Sequence, residues 1–406
     1  MSAHTDQVVV TGLGATTPLG GDAASTWDGM LAGRSGISAI EEEWAAGLPV
    51  RIAGRLAVDP AGVLDRVQAR RMDRCEQIAL VAAREAWAHA GAPDVEPERL
   101  AVVIGTGTGG AATLLSQDDI LETSGVRRVS PHTVPMLMAN GPAAWVSIDL
   151  GALGGAHTPV SACASGAEAI AQGLDLIRLG RADVVVAGGA EACVHPLPLA
   201  GFSQAKAHST RNDEPELASR PFDTDRDGFI IGEGAAVVVL ERAEFAAARS
   251  ARVHAALAGA GVTSDAHHIT AAHPAGQVRA MRLALAAAGL APEAIEHIHA
   301  HATSTQLGDL VEAESITEAI GVHPAVTATK SMTGHLFGAA GAVGAMAAIL
   351  AVRDGVIPAT RNLDTLDPRV KLDVVTGEPR RAAPAAALAN AFGFGGHNAS
   401  LVFTAP

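Results

Sequence analysis

Short, nearly unbroken apolar runs alternate with longer Ala-rich stretches along this chain of 406 residues. Val8–Gly12, Leu100–Ile104, Val184–Ala187, Ala235–Leu240 and Ala325–Thr329 predict strands. A strand with one wet face alternates apolar and polar side chains. These runs do not alternate, so both faces should be covered. Helices are predicted over Cys75–Ala90, Cys163–Leu179, Val278–Ala288 and Gly338–Val352. Strand and helix in alternation imply an α/β architecture with mainly parallel sheets.

The pattern also repeats, weakly. Ala86–Gly91, then Pro97-Glu98, then the run to Gly105 reads as helix, turn, strand. Ala284–Gly289, then Pro292-Glu293, then the run to Ala302 reads the same way. Val160–Cys163 enters a small-residue helix ending near Gly180, and Thr327–Lys330 leads to one ending near Gly355. Two copies of one α/β unit explain both pairs. The expected halves are residues 1–250 and 251–406. No Pro/Ser-rich linker separates them, so they should pack as one body.

Composition sharpens this picture. Hydrophobic residues are 48% of the chain, so intrinsic disorder is excluded as the main state. Aromatics are only 3% against 44 glycines, so Ala, Val, Leu and Ile must fill the core with backbones close together. Cys75, Cys163 and Cys193 are too few for a disulfide scaffold and point to a reducing compartment, the cytoplasm. A net charge of −14 excludes bulk attraction to nucleic acid. Met1–Gln7 lacks the charged and apolar regions of a signal peptide. Leu336–Val352 is free of polar side chains over 17 residues, the lower edge of a membrane span. Its glycines at 338, 341 and 344 favour a helix buried in protein over membrane insertion.

Cys163 lies in Val160-Ser-Ala-Cys-Ala-Ser-Gly166, where a strand-like run meets a turn and a helix begins. A helix N-terminus favours thiolate, the reactive form, so Cys163 is the candidate nucleophile. Cys75 and Cys193 are expected to be inert. His297, His299 and His301 alternate, which puts them on one strand face. A metal site is one reading, but no acidic or Cys ligand is interleaved. His301 ends the apolar run, where a catalytic base or donor would sit; His297 and His299 are expected to be structural. Lys330 and His335 share the Gly-rich stretch Lys330–Gly341, with Asp309 and Glu312 as the nearest plausible partners of the lysine. Gly105, Gly107 and Gly110 match a dinucleotide fingerprint, yet no acidic residue closes a second strand at the expected place, leaving a turn lining a cleft as the alternative. Phe392–Asn398 is a Gly-rich loop between apolar strands, in which Phe394 is a candidate gate.

Together these motifs resemble the elongating, decarboxylating β-ketoacyl-(acyl carrier protein) synthases. The resemblance rests on Val8-Val-Val-Thr-Gly-Leu-Gly14, Thr16-Thr-Pro-Leu-Gly20, Ser161-Ala-Cys-Ala-Ser-Gly166 and Arg220–Phe229 with Gly232–Ala235. It continues through Ala300-His-Ala-Thr-Ser-Thr305, Lys330-Ser-Met-Thr-Gly-His335 and Phe392-Gly-Phe-Gly-Gly396, and so covers essentially the whole chain. It implies a thiolase-like five-layer αβαβα fold of two duplicated halves, and a dimer. It implies Cys163 as acyl acceptor, His301 and His335 as the decarboxylating pair, and Lys330 with Glu312 as their support. The N–H groups of Cys163 and Phe394 would form an oxyanion hole. Thr303 and Thr305 would contact the phosphopantetheine arm, which arrives on the carrier protein, so no metal or other cofactor is expected. Phe202 and Thr108 would line the acyl pocket. Arg70, Arg71, Arg127, Arg128 and Lys206 would dock an acidic acyl carrier protein.

The chain departs from the family pattern at Ala302, where many members have Gly, and at Thr108, often Ile. The residues around Thr133 pack across the family's dimer, so Thr108 and Thr133 leave the chain-length preference open. Fatty-acid and polyketide elongation both fit, as a homodimer or with a related ketosynthase-like subunit. Thiolases and starter-condensing synthases lack the second His of Cys-His-His. A non-condensing chain-length partner subunit would lack Cys163. A nicotinamide-dependent oxidoreductase would leave every motif but the glycines unexplained.

Overall fold

The computed structural model describes residues 7–406, so the reading of Met1–Gln7 lies outside it except for Gln7. The apolar runs assemble into one eleven-stranded mixed sheet. The first half contributes β1 (Val8–Thr16), β2 (Leu100–Gly105), β3 (Ala156–His157), β4 (Val184–Glu191) and β5 (Gly234–Arg242). The second contributes β6 (Ala255–Ser264), β7 (His297–His299), β8 (Ala325–Thr327), β9 (Asp373–Val374), β10 (Ala386–Gly393) and β11 (His397–Thr404). Strands β1 and β6 pair antiparallel in the middle. Outward from β1 run β5, β4, β2 and β3; outward from β6 run β11, β10, β7 and β8, with β9 beyond. Counted within each half, the order is the same. So are the directions: β2 is parallel to β4, as β7 is to β10, and the remaining inner pairs are antiparallel.

Burial on both faces explains the unbroken runs. Along β4, Val185 and Ala187 face a central core while Val184 and Val186 face an outer one. Along β10, Ala387, Ala389 and Ala391 face the same central core, and Ala386 and Leu388 face the opposite outer one. The two halves of the sheet thus enclose the central core and the outer helices close the two outer ones, giving the five layers of the thiolase-like arrangement, with a fourth core around Cys163 and Cys193. Helix α1 (Arg74–His89) covers one outer face, and α3 (Pro274–Ala288) with α4 (Gly308–Ala319) covers the other. Helices α2 (Ser165–Arg178) and α5 (Ala340–Asp354) form the middle layer. The long apolar stretch is therefore a core helix: Phe337–Asp354 is 89% buried inside the protein.

Helix α5 ends at Gly355, which takes a left-handed φ of 68°. Helices α2 and α5 touch through small residues. A Cβ on Gly166 would stand 3.0 Å from the Ala342 Cβ, and one on Gly341 would stand 2.9 Å from the Ala167 Cβ. Strand β4 joins the same contact, since a Cβ on Gly189 would meet the Gly338 carbonyl oxygen at 2.4 Å.

Backbone cannot yield to that atom, so Gly189→Ala should lower unfolding free energy by about 2 kcal/mol. Gly201→Ala, where nothing lies within 4 Å of a new Cβ, should be neutral or stabilising by up to about 1 kcal/mol. Urea unfolding of both variants against the parent checks the contrast.

Candidate active site

The candidate nucleophile, Cys163, is held in a strained turn. Ala162–Ala164 form a short 3-10 turn leading into α2, and Ala162 takes a φ of 50°. For a residue with a Cβ this costs on the order of 1–2 kcal/mol. Ser165 holds the turn: its Oγ accepts the Ser161 N–H at 2.9 Å and lies 2.7 Å from the Ala162 carbonyl oxygen. The second half repeats the device. His335 precedes the turn Phe337–Ala339, where Phe337 has a φ of 41°, and α5 follows. Because α2 and α5 pack so closely, the two turns face each other. His335 Nε2 lies 2.9 Å from Cys163 Sγ.

His301 joins them from the end of β7, its ring centroid 5.4 Å from that of His335 and nearly perpendicular to it. The Lys330 ammonium donates to the His301 carbonyl oxygen. Glu312 grips the same peptide region from the other side, accepting the N–H groups of His301 at 2.7 Å and Ala302 at 2.6 Å. The lysine thus forms no ion pair within 4 Å among the described residues; it and Glu312 hold opposite sides of the His301–Ala302 peptide. Asp309, the other expected partner, accepts the N–H groups of Phe222 and Ser304 instead.

Burial dominates the electrostatics. It pushes the Cys163 thiol up to about 12, with Glu191 adding to the rise; Lys330 and the N–H groups of Phe394 and Cys163 oppose it. The helix-terminal groups do favour thiolate as expected, but lost solvation outweighs them. Burial, reinforced by Lys330, holds His301 and His335 well below the usual imidazole range. Burial also lowers Lys330, while Glu312 and Cys163 resist. It raises Glu312 against its two backbone donors. Burial thus favours a protonated thiol and two neutral imidazoles in the resting site.

A cavity of about 760 Å³ opens onto Cys163, His301 and His335. Thr303 and Thr305 line one side, their hydroxyls 3.1 Å apart. Phe202, Thr108 and Phe394 also line it, and Phe394 is 45% exposed. The loop of Phe394 is the tip of the β10–β11 hairpin. Arg70, Arg71, Arg127, Arg128 and Lys206 are all exposed and enter no ion pair among the described residues; of the five, only Lys206 lines the cavity. His297 and His299 are buried: His297 Nδ1 meets the Ala325 carbonyl and His299 Nε2 the Thr329 hydroxyl. Among the described residues, no three His, Cys, Asp or Glu side chains converge as a metal site.

Sequence reasoning missed Glu191. Its buried carboxylate accepts the N–H groups of Gly107 at 2.7 Å and Gly338 at 3.0 Å, and the Thr108 hydroxyl at 2.6 Å. It fixes the glycine loop Gly105–Gly110 as a cavity wall. The one visible signal is an acidic residue closing an apolar strand. Cys75 and Cys193 are fully buried, and burial holds both thiols well above the ordinary range.

Iodoacetamide should modify Cys163 at a rate rising about tenfold per pH unit from pH 7 to 9, since thiolate is the reactive form. A plateau below pH 8 would contradict the protonated resting state. Lys330→Ala should slow the reaction at each pH, because the lysine favours the thiolate.

Residues 5–246 match the β-ketoacyl synthase N-terminal domain and residues 254–364 match the β-ketoacyl synthase C-terminal domain. The chain is 47% identical over 402 residues to 3-oxoacyl-(acyl-carrier-protein) synthase 2 of Mycobacterium bovis, covering 98% of this chain and 96% of that one. The ishigamide ketosynthase/chain length factor structure superposes with a TM-score of 0.93 at 34% identity, covering 99% of this chain and 100% of that one. A type II polyketide synthase structure, an acyl carrier protein in complex with its ketosynthase bound to the hexaketide, gives 0.92 at 29% identity, again over 99% and 100%. With two family domains along most of its length and a relative this similar end to end, the chain belongs to the β-ketoacyl synthase family.

Proposed function

We propose that this enzyme elongates a fatty-acid or polyketide chain by two carbons, condensing an acyl group on Cys163 with malonyl-acyl carrier protein. The observation that carries the roles is the 2.9 Å contact of Cys163 Sγ with His335 Nε2, with His301 beside it, at the floor of one cavity. Residues 1–250 supply the nucleophile, and residues 251–406 supply the imidazoles, the lysine and the gate.

The Cys163 thiol gives up its proton as its sulfur attacks the incoming acyl thioester. The carrier's thiol leaves with a proton, and the acyl group stays on Cys163. The N–H groups of Cys163 and Phe394, whose influence favours the thiolate, stabilise the oxyanion of the tetrahedral intermediate. Malonyl thioester then binds. Loss of carbon dioxide leaves an electron pair that becomes an enolate, its charge on the thioester oxygen. Two neutral imidazoles can each donate an N–H to that oxygen. The enolate carbon attacks the Cys163 thioester; the new carbon–carbon bond forms and the thiolate leaves. Lys330 and Glu312 position His301 through its own peptide. Thr303 and Thr305 hold the phosphopantetheine arm, Phe394 gates the cavity, and Phe202 and Thr108 bound the acyl chain. Each step runs on these residues, so the reaction calls for no metal or nicotinamide.

The partner is an acyl carrier protein, an assignment supported by the carrier complex of the 29% identical neighbour and by the unpaired Arg70, Arg71, Arg127, Arg128 and Lys206. A dimer is supported by exposed Leu114, Leu121, Val134, Met138 and Ile148, all on the segment that connects β2 to the edge strand β3. Such apolar exposure and an open strand edge call for cover. The partner subunit is a second copy or a related ketosynthase-like chain. Three reduced cysteines support a cytoplasmic location.

Cys163→Ala should abolish condensation, and Cys163→Gln should leave malonyl decarboxylation running; mass analysis of products from acyl and malonyl carrier proteins reads both. Full condensation by the alanine variant would overturn the nucleophile. Reversing charge at Arg127 and Arg128 together should raise the apparent KM for acyl carrier protein about tenfold with kcat little changed. An unchanged KM removes that pair from the docking surface.

A further inference from the structure

The wall of the cavity beyond Cys163 is a cluster of rings. Phe202 stacks on Phe337, at 5.2 Å and 19°, and on His208, at 5.6 Å and 25°. Phe229 stands edge-on to all three. Phe202, Phe229 and Phe337 line the cavity, and Ala207 lines it next to His208. His208 is the odd member. It is 4% exposed, and neither ring nitrogen has a hydrogen-bond partner among the described residues. Its surroundings are apolar rings and the core that holds Cys193, Leu199 and Ile230. An unpaired buried polar group is costly, and a hydrocarbon side chain would fill the space without that cost. Burial alone lowers the imidazole to about 4, so at neutral pH it offers one N–H donor and one acceptor nitrogen.

Phe202 both stacks on His208 and lines the cavity, and it is half-buried where Phe229 and Phe337 are buried, so its turn is the least obstructed of the three. Displacing it opens a slot between Phe337 and His208, continuous with the space above Cys163. An acyl chain held by Cys163 and entering that slot brings its own substituents to the unpaired imidazole.

We propose that His208 is a specificity-determining residue that selects acyl chains carrying a hydroxyl or carbonyl oxygen over plain saturated chains. The oxygen completes the hydrogen bonding that the apolar wall leaves open. The inference rests on the condensing reading above and adds the substrate class to it.

The test is acylation of Cys163, followed by mass, from octanoyl pantetheine and from hydroxyoctanoyl pantetheines bearing the hydroxyl on the third, fifth or seventh carbon. At least one hydroxylated chain should react with a kcat/KM about tenfold above octanoyl, the scale of one hydrogen bond otherwise left unmade. His208→Leu should cut that ratio about tenfold, and His208→Asn, which keeps a donor and an acceptor, should retain part of it. Preference of the parent enzyme for octanoyl over every hydroxylated chain would overturn the inference, and so would an unchanged ratio in His208→Leu. Should the leucine variant not fold, the parent's preference and His208→Asn decide. Acylation by octanoyl alone sinks only this inference. No acylation of Cys163 by any thioester sinks the condensing reading and this one with it.

Discussion

The close packing of α2 on α5 is the constraint on which the rest depends. Gly166 faces Ala342 and Gly341 faces Ala167, and a Cβ on either glycine would crowd the alanine opposite at 3.0 or 2.9 Å. Because each helix begins at a catalytic turn, the helix separation sets the separation of Cys163 and His335. A methylene inserted between the helices would move the turns apart, and misplacement of reacting groups by about 1 Å can cost a hundredfold in rate. The same constraint shapes the sheet. The central face of β10 carries Ala387, Ala389 and Ala391, and that of β11 carries Ala399 before widening to Leu401 and Phe403, while Leu388 and Val402 point to the outer core. Much of the excess of Gly and Ala belongs to these close contacts.

Close packing also means dryness, and dryness sets the protonation states. Thiol and imidazoles are all driven toward their neutral forms by burial. For the imidazoles this is useful, since a neutral ring with a fixed tautomer donates one N–H to a developing oxyanion without itself carrying charge. For the thiol it is an obstacle, opposed by Lys330 and by the N–H groups of Phe394 and Cys163. The lysine does this without contacting the sulfur. It is held by the His301 carbonyl, while Glu312 holds the N–H groups of the same loop. One peptide segment thus ties the cation, the carboxylate and the imidazole together.

Much of this was legible in the sequence. The apolar runs marked five sheet strands within a few residues, because strands covered on both faces need no alternation to be recognised. The paired helix–turn–strand stretches exposed the duplication. Strand β6 was not legible: Ala255–Ser264 holds Ala and Gly where β-branched residues would signal a strand. Its glycines instead let α3 approach, since a Cβ on Gly259 or Gly261 would meet a carbonyl oxygen of that helix at 2.3 or 2.1 Å. Gly12 and Gly14 of β1 do the same against α1. Long-range polar partners were equally hidden. Nothing local in Ala190-Glu191-Ala192 announces bonds to Thr108 and Gly338, and nothing near His208 announces a ring stack.

Glu191 joins selectivity to chemistry. Its carboxylate receives Gly107 and Thr108 from the loop that walls the cavity, and Gly338 from the turn that follows His335. The first loop comes from one half and the turn from the other. Buried and hydrogen-bonded from both sides, the carboxylate makes them one rigid piece. Thr108 is therefore more than a polar residue where an apolar one is often found. Its hydroxyl is spent on Glu191, so the wall it presents to the cavity is fixed by the same group that orients the turn beside His335. A change at Thr108 that frees this carboxylate acts on the position of the turn as well as on the shape of the pocket.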